Sequence, residues 1–233
     1  MKIKGVVKHP LHVKLGFCVV ALFFVFSNTT NAEYATVDNK LPMYGTIAWS
    51  SQDRKQISDY FDYIDSVYDS RQAAAKDLNV EAWDAYLNDN RVEAMRLFNL
   101  SWLLNNTNID TYAGYVRILA LDGKHKDAIE VGELALGLGG MNYDLISELA
   151  VSYAYYGESF HSRDNKGYFA RAHYLLSLAD SLRPNCNCGY EDQFFVSMLE
   201  QKYSQAQKIR EVAELSNNPL SKESIDWLEG FDY

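Results

Sequence analysis

Residues 94–104 read AMRLFNLSWLL, and residues 128–138, which lie 34 positions further along the chain, read AIEVGELALGL. Both stretches begin with alanine and carry another small residue seven positions later. The same arrangement begins at Ala172 and again 34 positions later at Ala206. A spacing that recurs twice independently indicates an internal structural repeat, and this feature decides the fold class before any other.

Helix packing explains the repeated small residues, because alanine lets two antiparallel helices approach closely while larger neighbours fill the gaps. The segments between the alanine stretches carry apolar residues at helical spacings of three and four. Residues 112–119 (YAGYVRIL) and residues 146–153 (ISELAVSY) are two such segments. No alternating β pattern of useful length is present. The sequence therefore predicts an all-α chain built from helix pairs.

One interval in the repeat is too long. Ala128 and Ala172 are 44 residues apart, which places ten extra residues between them. Gly123 and Gly157 are themselves 34 residues apart and are predicted to occupy the turn inside each helix pair. The insertion is therefore expected after Gly157, at residues 158–168.

Over residues 75–219 the chain resembles the tetratricopeptide-repeat (TPR) family, whose units are helix pairs with a 34-residue period. The resemblance implies a right-handed superhelical solenoid of about four TPR helix pairs, in which the second and third repeats match strongly and the other two are degenerate. Residues 53–74 are predicted to form an N-terminal capping helix, and residues 220–233 a C-terminal capping helix and tail. Residues 33–52 are predicted to be an extended segment.

Residues 1–32 have the pattern of a cleaved signal peptide. Four lysines and no acidic residue precede an apolar run of eleven residues, Gly16 to Phe26, and the predicted cleavage follows Ala32. A membrane-spanning helix needs about twenty such residues. The block Pro42-Met43-Tyr44-Gly45, together with residues 94–104, also resembles exported bacterial repeat proteins. The mature protein is therefore expected to be periplasmic or secreted.

The mature chain is predicted to be strongly acidic. Removal of residues 1–32 takes away four of the 22 basic residues and none of the 31 acidic ones, leaving 18 against 31 and a formal charge of −13. Such a surface repels phosphate backbones and anionic lipid headgroups. The composition therefore argues against nucleic-acid binding and membrane attachment, and it favours a basic protein or peptide partner.

The TPR resemblance implies that the first helix of each repeat lines a concave groove. The predicted groove residues are Lys76, Asn79, Trp83, Tyr86, Asp110, Arg117, Asp144, Ser147, Val151 and Phe195. An aromatic patch beside an arginine would grip an extended peptide or an amphipathic helix, because the rings supply contact area and the guanidinium binds a carboxylate. The alternative is that Trp83 and Tyr86 simply pack on the capping helix.

Other polar residues offer weaker chemistry. The insertion carries His161, Arg163 and Asp164, which supply a base and a carboxylate but no triad geometry, so a solvated or partner-contacting loop is expected. Cys186 and Cys188 lack the spacing of a structural zinc site, and no metal site is predicted. For these cysteines a local disulfide, two free thiols and a bond to another chain all remain open.

Together these features predict an exported TPR module, a scaffold or adaptor that recognises a peptide or protein segment in its concave groove. The sequence predicts neither enzymatic activity nor a cofactor. Two alternatives remain: a structural subunit of a cell-envelope assembly, and a hydrolase that uses the inserted loop.

Overall fold

The computed structural model describes residues 38–45, 49–160, 165–183, 186 and 189–231. Within these ranges the chain forms ten α-helices, one 3-10 helix at Pro42–Gly45 and no strand, which confirms the all-α prediction. The helices are α1 (Ser51–Val67), α2 (Arg71–Leu87), α3 (Arg91–Leu104), α4 (Ile109–Leu121), α5 (His125–Gly137), α6 (Tyr143–Glu158), α7 (Lys166–Leu182), α8 (Tyr190–Leu199), α9 (Tyr203–Leu215) and α10 (Lys222–Glu229). The predicted signal peptide lies outside the described residues.

The helices pack as four successive pairs, α2 with α3, α4 with α5, α6 with α7, and α8 with α9. Each pair also contacts the next one, through α3 and α4, α5 and α6, and α7 and α8. The first helices of successive pairs, α2, α4, α6 and α8, touch each other in that order. Contacts that run only between neighbouring units define a solenoid.

The periodic small residues lie where the helices approach most closely. All eight are no more than 1 % exposed, namely Ala94, Ser101, Ala128, Ala135, Ala172, Ala179, Ala206 and Ala213. Burial of every member of the set shows that the 34-residue period marks the packing interfaces of the second helices. The repeat register predicted from the sequence therefore agrees with the packing in all four pairs.

The insertion is placed differently from the prediction of a single stretch at residues 158–168. Relative to the preceding pair, α6 ends three residues later, α7 begins three residues earlier, and the connection at 159–165 is four residues longer. Gly157 lies inside α6 and not in a turn, so that prediction was wrong. A Cβ there would come within 2.9 Å of the Tyr168 Cβ, so glycine is needed for the close approach of α6 and α7.

The N-terminal boundaries also differ from the prediction. Helix α1 begins at Ser51, where Ser50 and Asp53 form a capping box. The Ser70 side chain accepts a hydrogen bond from the Ala73 amide and so begins a new helix, α2, at Arg71. The predicted capping helix 53–74 therefore included the first turn of the first repeat. The boundary was missed because a single capping serine does not interrupt the periodic pattern of apolar residues.

Residues 38–45, which we call the arm, are folded onto the helices, so the extended segment predicted for residues 33–52 is wrong in this part. The Met43 and Tyr44 side chains are buried. The Asn99 side chain on α3 donates its amide to the backbone carbonyls of Asn39 and Leu41, at 3.1 and 2.9 Å. Neither contact is visible in a periodic pattern, because the partners lie about sixty residues apart in sequence.

Candidate partner-binding groove

The first helices carry a connected set of polar side chains across three successive pairs. Arg117 on α4 forms an ion pair with Glu148 on α6. Ser147, also on α6, is only 5 % exposed, and its hydroxyl donates a hydrogen bond to Asp192 on α8. Ser147 therefore positions Asp192 and does not itself face a partner. Contacts of this kind link neighbouring repeats side by side along their first helices. We call Arg117, Ser147, Glu148 and Asp192 the polar strip.

Burial controls the electrostatics of the polar strip. The Glu148 side chain is only 19 % exposed, and burial raises the pKa of its carboxyl even though the Arg117 guanidinium opposes the shift. Burial likewise raises the pKa of Asp192, against the lowering effects of the Ser147 hydrogen bond and the Arg117 charge. Two partly dehydrated carboxylates therefore share one guanidinium. A second cation brought to this place would relieve the cost of their burial.

The raised pKa of Asp192 predicts a specific pH dependence of stability. A carboxyl that holds its proton more tightly in the folded state stabilises the fold at low pH, and that contribution is lost as pH rises from the ordinary value of 3.8 through the raised value. Asp192→Asn should remove this loss, because the amide cannot ionise and its oxygen still accepts the Ser147 hydrogen bond. The free energy of unfolding, measured with urea at several pH values, should therefore fall less steeply with pH in the variant.

Asp69→Asn in the connection between α1 and α2 is the matched control, since this carboxyl is exposed and its replacement should leave the pH profile unchanged. A profile for Asp192→Asn that runs parallel to that of the unmodified chain would contradict the prediction.

The predicted groove residues on α2 have mixed outcomes. Asn79 is 5 % exposed and donates to the Thr111 hydroxyl at 2.9 Å, so it joins α2 to α4 inside the core and cannot contact a partner; that assignment was wrong. Trp83 is half-buried, with its ring against Tyr86 and Phe98 at centroid distances of 5.5 and 5.3 Å. The alternative of packing on the capping helix therefore does not describe Trp83, which lies at the edge of the core instead.

The remaining predicted positions are distributed along the later pairs. Lys76, Asp110 and Asp144 are exposed. Asp110 accepts a hydrogen bond from Asn142 at 2.8 Å, and Asp144 pairs with Arg183 at 3.3 Å. These side chains remain available to a partner because their bonds lie at the surface.

Val151 and Phe195 are half-buried. The Phe195 ring packs against Trp227 of α10, at a centroid distance of 5.6 Å. This contact ties the fourth pair to the C-terminal helix, so Phe195 contributes to packing as well as to the groove surface.

Aromatic side chains pack together at the two ends of the connection between α6 and α7. The rings of Phe160 and Tyr168 stack with centroids 5.4 Å apart, and Tyr156 packs edge-on against both. These rings fix the two ends of the connection. The loop residues His161, Arg163 and Asp164 lie outside the described residues, so their predicted role stays a prediction.

Cys186 takes part in a disulfide bond. Cys188 lies outside the described residues, and the pairing of these two cysteines therefore stays a prediction. In the part of the chain that the structure describes, no group of three or more His, Cys, Asp or Glu side chains is arranged to hold a metal ion. Nor does this part contain a helix long and apolar enough to cross a membrane.

Sequence reasoning missed Glu148 and Asp192, although a signal was present. These acids are 44 residues apart, the same interval that separates Ala128 and Ala172 across the insertion. They therefore occupy the same position in successive repeats. Gly114 stands at this position in the second pair, 34 residues before Glu148, so that pair contributes no carboxylate to the strip.

The packing of the helix pairs and the face formed by their first helices define a helical solenoid with a TPR-like fold. The structure is similar to that of a thermophilic TPR protein from Thermus thermophilus, with a TM-score of 0.57 and 16 % sequence identity. The similarity covers 67 % of this chain and 80 % of the Thermus chain. No family model matches the chain, and no curated protein sequence does.

Proposed function

We propose that this protein is an exported binding module, a scaffold or adaptor without catalytic activity, which holds a basic segment of a partner protein along its first helices. The polar strip is the observation that carries the proposal. It links α4, α6 and α8 through the Arg117–Glu148 and Ser147–Asp192 contacts. A surface continuous over three repeats suits an extended ligand better than a small molecule.

Charge favours a basic ligand. The strip buries two carboxylates beside a single arginine, and a lysine or arginine side chain from a partner would supply the missing positive charge. The formal charge of −13 expected for the mature chain would also steer a cationic partner toward the protein. An arrangement in which Arg117 orients a partner carboxylate is less favourable, because Glu148 already occupies that guanidinium.

The export part of the proposal rests on residues 1–32, whose basic start and eleven-residue apolar run are typical of a signal peptide. A periplasmic or secreted location is compatible with the disulfide at Cys186, because disulfides persist in oxidising compartments. Partner capture should therefore be measured in the cell envelope or the medium.

The decisive experiment is crosslinking in cells, followed by mass spectrometry and by affinity measurement on the partner recovered. The groove variant Glu148→Gln with Asp192→Asn should bind that partner about tenfold more weakly, because charge-assisted hydrogen bonds to the carboxylates are lost. The control variant is Glu130→Gln with Glu211→Gln, which removes two exposed charges from the second helices α5 and α9. Its affinity should stay unchanged.

Three outcomes would contradict the proposal. Equal binding by both variants would place recognition outside the polar strip. Equal weakening by both would indicate only a general attraction of opposite charges. A chain found in one large particle, whichever variant is expressed, would favour the alternative of a structural subunit. Melting curves of both variants establish that folding is intact.

A further inference from the structure

The arm, residues 38–45, is held by the solenoid in the way that a bound peptide would be held. The side-chain amide of Asn99, which is fully buried, donates to two arm carbonyls. The Tyr115 hydroxyl donates to the Asn99 side-chain oxygen at 2.8 Å and so fixes the orientation of the amide. These bonds recognise the arm's main chain and do not depend on its sequence.

The side chains of the arm supply the apolar part of the contact. Tyr44 is 2 % exposed, and its ring lies edge-on to Trp49 at a centroid distance of 5.2 Å. Met43 is buried in the core cluster of the first two pairs. We call the surface that receives them, formed around Asn99 and Tyr115, the arm site. It is separate from the polar strip and stands independently of the proposed function.

Two features of the bound arm are energetically unfavourable. Met43 and Tyr44 both have left-handed backbone conformations, with φ of 52° and 56°, which side-chain-bearing residues adopt unfavourably. The Tyr44 hydroxyl is buried and has no hydrogen-bond partner among the described residues. The two left-handed residues and the unpaired hydroxyl raise the free energy of the docked arm, so we expect the arm to open locally more readily than the helices that it contacts.

We propose that the arm site is an exchangeable peptide-binding site that the protein's own arm occupies as a tethered competitor. The ligand that it fits is a partner segment with proline, an unbranched aliphatic residue and an aromatic ring in succession, as in Pro42-Met43-Tyr44, whose side chains are all buried. A ligand with phenylalanine at the last position is preferred, because it fills the ring site without burying a hydroxyl.

Three synthetic peptides of the sequence of residues 38–45 test the proposal on the full chain. One carries Tyr at position 44, one Phe and one Ala. Fluorescence anisotropy should give the Phe peptide a Kd about tenfold lower than that of the Tyr peptide, since tenfold corresponds to about 1.4 kcal/mol, which lies within the usual cost of a buried unpaired hydroxyl. The Ala peptide should not bind measurably.

Hydrogen exchange on the same mixtures reports displacement of the arm itself. Saturating Phe peptide should accelerate exchange of the arm's own amides, including those of Leu41 and Tyr44, which are hydrogen-bonded within the arm. The Ala peptide should leave this exchange unchanged. In an Asn99→Ala variant the arm should exchange rapidly without peptide, and peptide affinity should fall.

Several results would overturn the proposal. One is exchange of the arm amides only on global unfolding, with no effect of any peptide, because the arm would then be part of the permanent core. Another is equal binding of the Phe and Ala peptides. A third is arm release that depends on protein concentration and accompanies dimer formation, because a second copy would then be the occupant. If Asn99→Ala does not fold, the peptide series on the unmodified chain decides alone.

Discussion

Replacing Gly114 with alanine should lower the free energy of unfolding by about 3 kcal/mol, the upper part of the range for overpacked cores. A Cβ at this position of α4 would overlap three atoms of the Phe98 ring. That ring is fully buried and lies between the rings of Trp83 and Tyr115, at centroid distances of 5.3 and 6.1 Å. It has no space into which to move, so the backbones of α3 and α4 must separate.

Gly137→Ala is the matched control, because a Cβ at this exposed position of α5 meets no atom within 4 Å. Alanine favours helix over glycine by up to about 1 kcal/mol, so this variant should be neutral or slightly more stable. Urea unfolding of both variants measures the difference. Combining Gly114→Ala with Phe98→Leu should cost less than the sum of the two single changes, since the smaller side chain makes room for the new methyl group. Equal stability of the two alanine variants would contradict this account of the α3–α4 contact.

The same contact shows why the repeat was predictable from sequence. Phe98 and Gly132 occupy equivalent positions, 34 residues apart. Where Phe98 is large, its neighbour on the next helix is Gly114; where Gly132 is small, Leu149 comes within 2.7 Å of the place its Cβ would take. The summed side-chain volume at the two equivalent contacts stays similar, although the large residue is on the second helix in one contact and on the first helix in the other. The repeat can therefore be recognised from the sequence alone, because small residues recur at a fixed interval and larger neighbours compensate for them.

Other features depend on contacts that no local pattern encodes. The polar residue Asn79 was expected in the groove, yet its hydrogen bond with Thr111 allows it to be buried between α2 and α4. Burial of a polar side chain is decided by its partner, and this partner is 32 residues away. The arm was missed for the same reason, because Asn99 reads as one more polar residue of an amphipathic helix.

The candidate site was only partly predictable. Arg117 and Ser147 were expected in the groove, and the structure joins both to carboxylates that were not expected there, Asp192 and Glu148, the latter one position beyond Ser147. A groove-facing position was assigned by counting from the repeat start. An error of one residue turns a helical side chain by about 100°, so counting identifies the face but not every member of it.

Leu228→Ala should lower the free energy of unfolding by about 3 kcal/mol, as expected for deletion of a fully buried leucine side chain. Leu228 lies on α10 and belongs to a core cluster with Phe194, Met198 and Ala213 of the last pair. Helix α10 covers the end of the solenoid, where no further repeat follows in the described chain. Weaker docking of α10 would therefore expose the apolar face of α8 and α9 to water, and preventing this exposure is the role of a terminal capping helix.

Leu215→Ala supplies the same chemical change at a leucine that is 86 % exposed, near the end of α9, and it should alter stability by less than about 0.5 kcal/mol. Hydrogen exchange should then show where the fold weakens. Because the main contacts of each pair in the described chain are with its neighbours, Leu228→Ala should accelerate exchange in α8, α9 and α10 most and leave α2 to α5 close to their original rates. Uniform acceleration along the whole chain would mean instead that the helix pairs unfold as one cooperative unit and that α10 stabilises all of them together.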